Sequence, residues 1–174
     1  MSFILKLHKI IVILLIISNA AFAQNIPDTV NGISYPTLAS GNYENFCAHE
    51  YSRLGVIDQR SYRMCLNGSI DAYQEIMYLI KTTPKNSYSY NFLQNIINQI
   101  LADNLHVNRF GRNERAISNS LKIAIEDANE IEYLFQTKSN GRLVFNNCKQ
   151  ENLSNADIPR HWIYSMFSCM KNKL

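Results

Sequence analysis

The sequence predicts an all-α fold: a bundle or short array of three antiparallel helical hairpins, about six helices, with two hairpins stapled by disulfides. Three observations predict it. From residue 42 onward, apolar residues recur at the spacing of a helix face, in blocks separated by Gly, Pro, Asn and Ser. No sustained alternation of apolar and polar residues specifies a sheet. Four cysteines fall symmetrically about two of the bends.

Residues 1–23 read as a secretory signal peptide. Lys6 and Lys9 form a basic front, an apolar run follows, and Ala21-Phe22-Ala23 gives a small-x-small cleavage pattern before Gln24. The alternative, an uncleaved anchor, requires a longer apolar run, of about 20 residues. The expectation is therefore an exported chain, periplasmic or secreted and not transmembrane after cleavage. Removing Lys6 and Lys9 lowers the basic residues from seventeen to fifteen against fourteen acidic ones, so the net charge falls from +3 to +1. Such a balance excludes a dispersed nucleic-acid-binding surface.

Residues 24–41 are polar and rich in turn formers, which predicts an extended or flexible leader. Residues 42–174 form a single helical domain, with hairpins at about 42–82, 88–137 and 141–174. Asn42 can cap a first helix that stops at Gly55, and Asp58 caps a second with Tyr62, Cys65, Ser69, Tyr73, Ile76 and Ile80 on one face. A break at TTPKNS precedes a third helix carrying Phe92, Leu93, Ile96, Ile97 and Ile100. Gly111 marks the next bend, and Ile117, Leu121, Ala128 and Ile131 stripe the fourth. The fifth runs from about Leu143 to Leu153. Pro159 suits the first turn of the sixth.

QEIMYLI at residues 74–80 and NEIEYLF at 129–135 match at an offset of 55 residues, so the hairpins read as related units. Four cysteines allow three pairings. Cys47 and Cys65 stand nine residues either side of Val56, and Cys148 and Cys169 are balanced about the NADIPR bend. Folding each segment back on itself sets partner against partner, which favours Cys47–Cys65 and Cys148–Cys169. The middle hairpin has no cysteines and must rely on its neighbours.

Cys47-x-x-Glu50-Tyr51, followed by Asp58, Tyr62 and Cys65, resembles a motif of small exported bacterial helical-hairpin proteins. Cys148, Glu151, Asp157 and Cys169 repeat part of it. The resemblance implies a fold and a compartment, and no activity.

Catalytic patterns are sparse. His49, His106 and His161 lack metal-type spacing, so no metal or other cofactor is expected. Nucleophile-elbow, zinc-protease and phosphate-loop motifs do not occur. Glu126 and Glu130 share a helix face that solvent explains. Most tyrosines fall on core stripes, while Tyr88 and Tyr90 read either as exposed or as a hydrophobic staple. Arginines gather at the bends: Arg53, Arg60 and Arg63 at the first, Arg109, Arg112 and Arg115 at the second, Arg160 at the third. Hairpins aligned in one direction would bring these to one end as an anion-binding surface beside helix N-termini. Arginine near a helix C-terminus is also ordinary stabilising placement.

The first expectation is a non-enzymatic binding protein acting through a protein partner. The second is a binder of anionic lipid headgroups or envelope glycans through the arginines, including as a secreted factor acting on another cell. The third is a hydrolase whose site leaves no motif.

Overall fold

The computed structural model describes residues 27–107, 109–154 and 162–174. The expected signal peptide and the bend holding Asp157 and Arg160 lie outside the described residues. The elements run β1 (Asp28–Val30), β2 (Ile33–Tyr35), a 3-10 turn (Ala39–Gly41), α1 (Tyr43–Glu50), β3 (Ser52–Arg53) and β4 (Val56–Ile57). The five remaining helices are α2 (Gln59–Thr82), α3 (Tyr88–Val107), α4 (Glu114–Thr137), α5 (Gly141–Ser154) and α6 (Trp162–Lys173). The fold is mostly helical, as expected. Both disulfides pair as the hairpin geometry requires: Cys47–Cys65 joins α1 to α2, and Cys148–Cys169 joins α5 to α6.

The two longest helices are structural equivalents. Both are 24 residues long, and both of their ends are offset by the same 55 residues as the sequence match. Each starts on a short polar cap: the Asp58 side chain accepts from the Arg60 and Ser61 N–H groups, and Asn113 accepts from the Ala116 N–H. Ile76 and Ile131 occupy equivalent buried positions, whereas Tyr78 and Tyr133 are equivalently exposed. The two helices run parallel, since Arg115 lies over Gly68 and the Ser118 hydroxyl donates to Glu75 at 2.6 Å. A Cβ at Gly68 would meet only the Arg115 guanidinium, the far end of an exposed, flexible side chain that can swing aside.

α4 is the central helix and touches α2, α3, α5 and α6. Its Ile117, Leu121 and Ile131 are buried with Ile76 and Ile80 of α2, Leu93 and Ile97 of α3, and Met166 and Met170 of α6. Each fully buried side chain of this size contributes about 1.5–3 kcal/mol. Packing on several sides replaces the covalent staple that the middle hairpin lacks.

Asp127 on α4 fits its surroundings poorly. One carboxylate oxygen is buried without a hydrogen-bond partner. Burial, then the charges of Glu126 and Glu130, push its carboxyl above the ordinary value. The folded state thus holds this proton more tightly than the unfolded state does, and stability falls as pH rises through the carboxyl range. Asp127→Ala is expected to gain about 1 kcal/mol in urea unfolding at neutral pH. The gain should shrink below about pH 4, where the parent carboxyl is protonated. An identical gain at both pH values would show that the charge is not the cause.

The described part of the segment expected to be an extended or flexible leader, residues 27–41, instead folds against the helices and places Ile33 and Tyr35 in the core. β1 and β2 pair antiparallel, with Val30 opposite Ile33, around a turn whose Asn31 and Gly32 both have positive φ. Ile33 and Tyr35 are buried. The Asn31 side-chain amide donates to the Ile80 and Thr83 carbonyls, satisfying the C-terminal end of α2. Gln94 of α3 borders β2 as a further strand would, accepting from the Ser34 N–H and donating to its carbonyl. Tyr90 donates to the Asn31 carbonyl at 2.7 Å, and Tyr88 packs against Phe92 and Phe135. Both tyrosines are half-buried, so neither is a free surface ring. Asn42 precedes α1 in left-handed geometry, and its side chain makes no cap bond.

Candidate interaction surface

The second bend turns inward. Arg112 and Glu114 flank Asn113 at the start of α4, and both are buried, at 3% and 0% exposure. Arg112 Nε and Nη2 each lie 2.7 Å from Glu114 Oε1, and Nη2 also donates to the Thr37 carbonyl at 2.7 Å. The Tyr35 hydroxyl donates to the other carboxylate oxygen of Glu114 at 2.6 Å, and the guanidinium sits over the Tyr35 ring. Burial, followed by the charge and hydrogen bond of Glu114, pushes the Tyr35 phenol far up, so it stays a donor. Gly41 and Gly111 make room: a Cβ on Gly41 would strike this guanidinium, and one on Gly111 would strike the Asn42 carbonyl. The Arg112 guanidinium is thus satisfied from within, by an acid and carbonyls of its own chain.

Among the described residues, the other arginines of the two bends lie in solvent. Arg109 and Arg115 are exposed at the second bend, with Arg115 lying against α2. Arg60 precedes Gly68 by eight residues on α2, which places it about 12 Å further along the axis. The first bend therefore projects beyond the second. The exposed Phe110 of the second bend stacks on His49 of α1, with ring centroids 3.6 Å apart, and so braces the base of the projection.

The projection is a miniature β-hairpin. Ser52 pairs with Ile57 and Arg53 with Val56. The Cys47–Cys65 disulfide anchors it at its base, with Cα atoms 5.7 Å apart. Asp58 starts α2 directly behind it; its carboxyl is held below the ordinary range by the Ser61 hydroxyl and by the Ser61 and Arg60 N–H groups. Leu54 and Gly55 form the turn, both with positive φ. That pattern ordinarily draws Asn-Gly or Asp-Gly, as the Asn31-Gly32 turn of the same chain illustrates. Leucine there is strained by about 1–2 kcal/mol.

The strain holds a leucine entirely in solvent. Leu54 is 104% exposed, with Val56 at 72% and Met64 at 61% close by in the chain. Arg53, Arg60 and Arg63 of the same segment are exposed as well. Exposed apolar side chains with exposed arginines near them in the chain, on a covalently anchored turn, are suited to an interface with another macromolecule.

The sequence directs attention to the arginines of this bend and misses its apolar apex. Its signal is the Leu-Gly pair read as a two-residue turn between Ser-Arg and Val-Ile. Among the described residues no helix is long and apolar enough to cross a membrane, and no group of three or more His, Cys, Asp or Glu is arranged to hold a metal ion. No protein-family model, no curated protein and no solved structure matches this chain.

Proposed function

We propose that this chain is an exported, non-enzymatic helical binding protein that acts through a protein partner, and that the partner meets the first bend. The observation that carries the reading is Leu54, a fully exposed leucine in a left-handed turn position. Backbone strain spent on exposing an apolar side chain has no benefit inside the monomer, and strain of this kind concentrates at functional sites. Two disulfides support the exported compartment, because thiols stay reduced in the cytosol.

Leu54→Asn separates stability from binding. It is expected to raise stability by about 1 kcal/mol, since Asn tolerates the turn that Leu resists. It is also expected to abolish the crosslink to a partner that a photoreactive residue at position 56 gives in the parent background. A partner captured equally by the parent and by Leu54→Asn would end the reading. The alternative, an anionic lipid or glycan held by Arg53, Arg60, Arg63 and Arg109, is favoured by the exposure of all four. Salt-sensitive co-sedimentation with anionic vesicles, lost on replacing those arginines and retained in Leu54→Asn, would select it.

A further inference from the structure

We infer that a cleft at the other end of α4, walled by the N-terminal turn of α3, the end of α4 and the start of α5, binds a small neutral saccharide. The cleft has a volume of about 520 Å³, within the range of small-molecule sites. Glu132 places it: its carboxylate accepts from the Tyr88 N–H at 3.0 Å, fixing the start of α3 against the far end of α4. The first bend lies beyond the opposite end of that helix, so the two surfaces are independent.

Three rings give the cleft its apolar wall. Tyr88, Phe135 and Phe145 line it and pack edge to face, with centroids 5.1–6.0 Å apart. Rings so arranged offer the apolar surface on which the C–H face of a pyranose rests. Side-chain amides supply the polar rim: Asn86, Asn91, Gln136 and Asn146. Each amide both donates and accepts, which matches a sugar hydroxyl, itself donor and acceptor.

Charge narrows the ligand class. Arg142 and Glu132 both line the cleft, so a net anion meets the carboxylate and a net cation meets the guanidinium. A wholly apolar ligand would strip water from four amides without replacing their hydrogen bonds. A neutral polyol with one apolar face satisfies every part of the lining. The Tyr88 hydroxyl is buried without a hydrogen-bond partner, out of reach of a ligand in the cleft, so this residue contributes its ring.

Saturation-transfer NMR on the mature chain tests the assignment, with glucose, maltose, N-acetylglucosamine and its β-1,4 disaccharide as probes and benzoate as an apolar anionic control. At least one sugar is expected to bind saturably at millimolar concentration. Asn146→Ala and Gln136→Ala are expected to weaken it by about tenfold each, the loss of one well-made hydrogen bond. Both residues are exposed, so the fold is not at risk. Tyr88→Phe keeps the ring and is expected to bind the same sugar as the parent does, with the thermal transition unchanged or higher. Absence of transfer to every sugar, transfer to benzoate alone, or parental affinity in both amide variants would overturn the site. None of these outcomes bears on the partner assigned to the first bend, and Leu54→Asn is expected to bind the sugar as the parent does.

Discussion

Arg112→Ala is expected to lower the free energy of unfolding by about 3–5 kcal/mol, the largest loss from any single replacement considered for this protein. The size follows from what stays behind. Glu114 is fully buried, and without the guanidinium its carboxylate would retain only the Tyr35 hydroxyl and lose its countercharge. Glu114→Ala should cost a similar amount for the mirrored reason, an unpaired guanidinium beneath Tyr35. Replacing the pair together with apolar side chains, as in Arg112→Met/Glu114→Leu, should recover much of the loss, because neither charge is then stranded. Urea unfolding of the two single variants and the double variant closes the cycle. Single losses that simply add in the double variant would show that the two groups do not sense each other.

The second large effect is the loss of a disulfide. Cys47→Ala/Cys65→Ala is expected to destabilise by about 3 kcal/mol, since the bridge spans 18 residues of sequence. The more telling readout is local. With the staple gone, α1 and the projecting hairpin are tied down chiefly by the His49–Phe110 stack and the short β3–β4 ladder. Trypsin should then cut after Arg53 and Arg60 well before it reaches α4. Simultaneous cleavage of tip and core would mean that this bridge stabilises the whole domain cooperatively rather than the first bend. Cys148→Ala/Cys169→Ala is the control, expected to cost a similar amount while leaving the first bend protected.

The helices were legible because their burial obeys a single local period. Ile76, Ile80, Ile117, Leu121 and Ile131 each lie where a 3.6-residue repeat puts the inner face, whichever neighbour covers it. The disulfides were legible because consecutive cysteines straddle bends. The N-terminal hairpin was missed although its marker is present: Asn31-Gly32 sits between Asp-Thr-Val and Ile-Ser-Tyr, the ordinary two-residue turn signature. Three-residue strands are too short for alternation to register, so the polar character of the segment dominated the reading.

Arg112 illustrates a different limit. Nothing near it in sequence marks it as internal, because its burial depends on Tyr35 and Thr37, more than seventy positions away. Grouping arginines by bend treats them as alike, when tertiary contacts turned one inward and left its neighbours in solvent. The apex of the first bend was legible as a turn. That its leucine is fully exposed needed the fold.

Consecutive pairing of the cysteines also governs the order in which the molecule can be made. A chain that appears N-terminus first presents Cys47 and Cys65 together, closes the shorter loop, and has no thiol left to compete when Cys148 and Cys169 emerge. Short loops close at lower entropic cost than the long ones that any crossed pairing requires. The native connectivity is therefore the one reached fastest as well as the one that fits. Oxidative folding should need an electron acceptor and little reshuffling, and the Tyr35–Glu114 contact, 79 residues apart and outside both stapled hairpins, is left to assemble after they are locked.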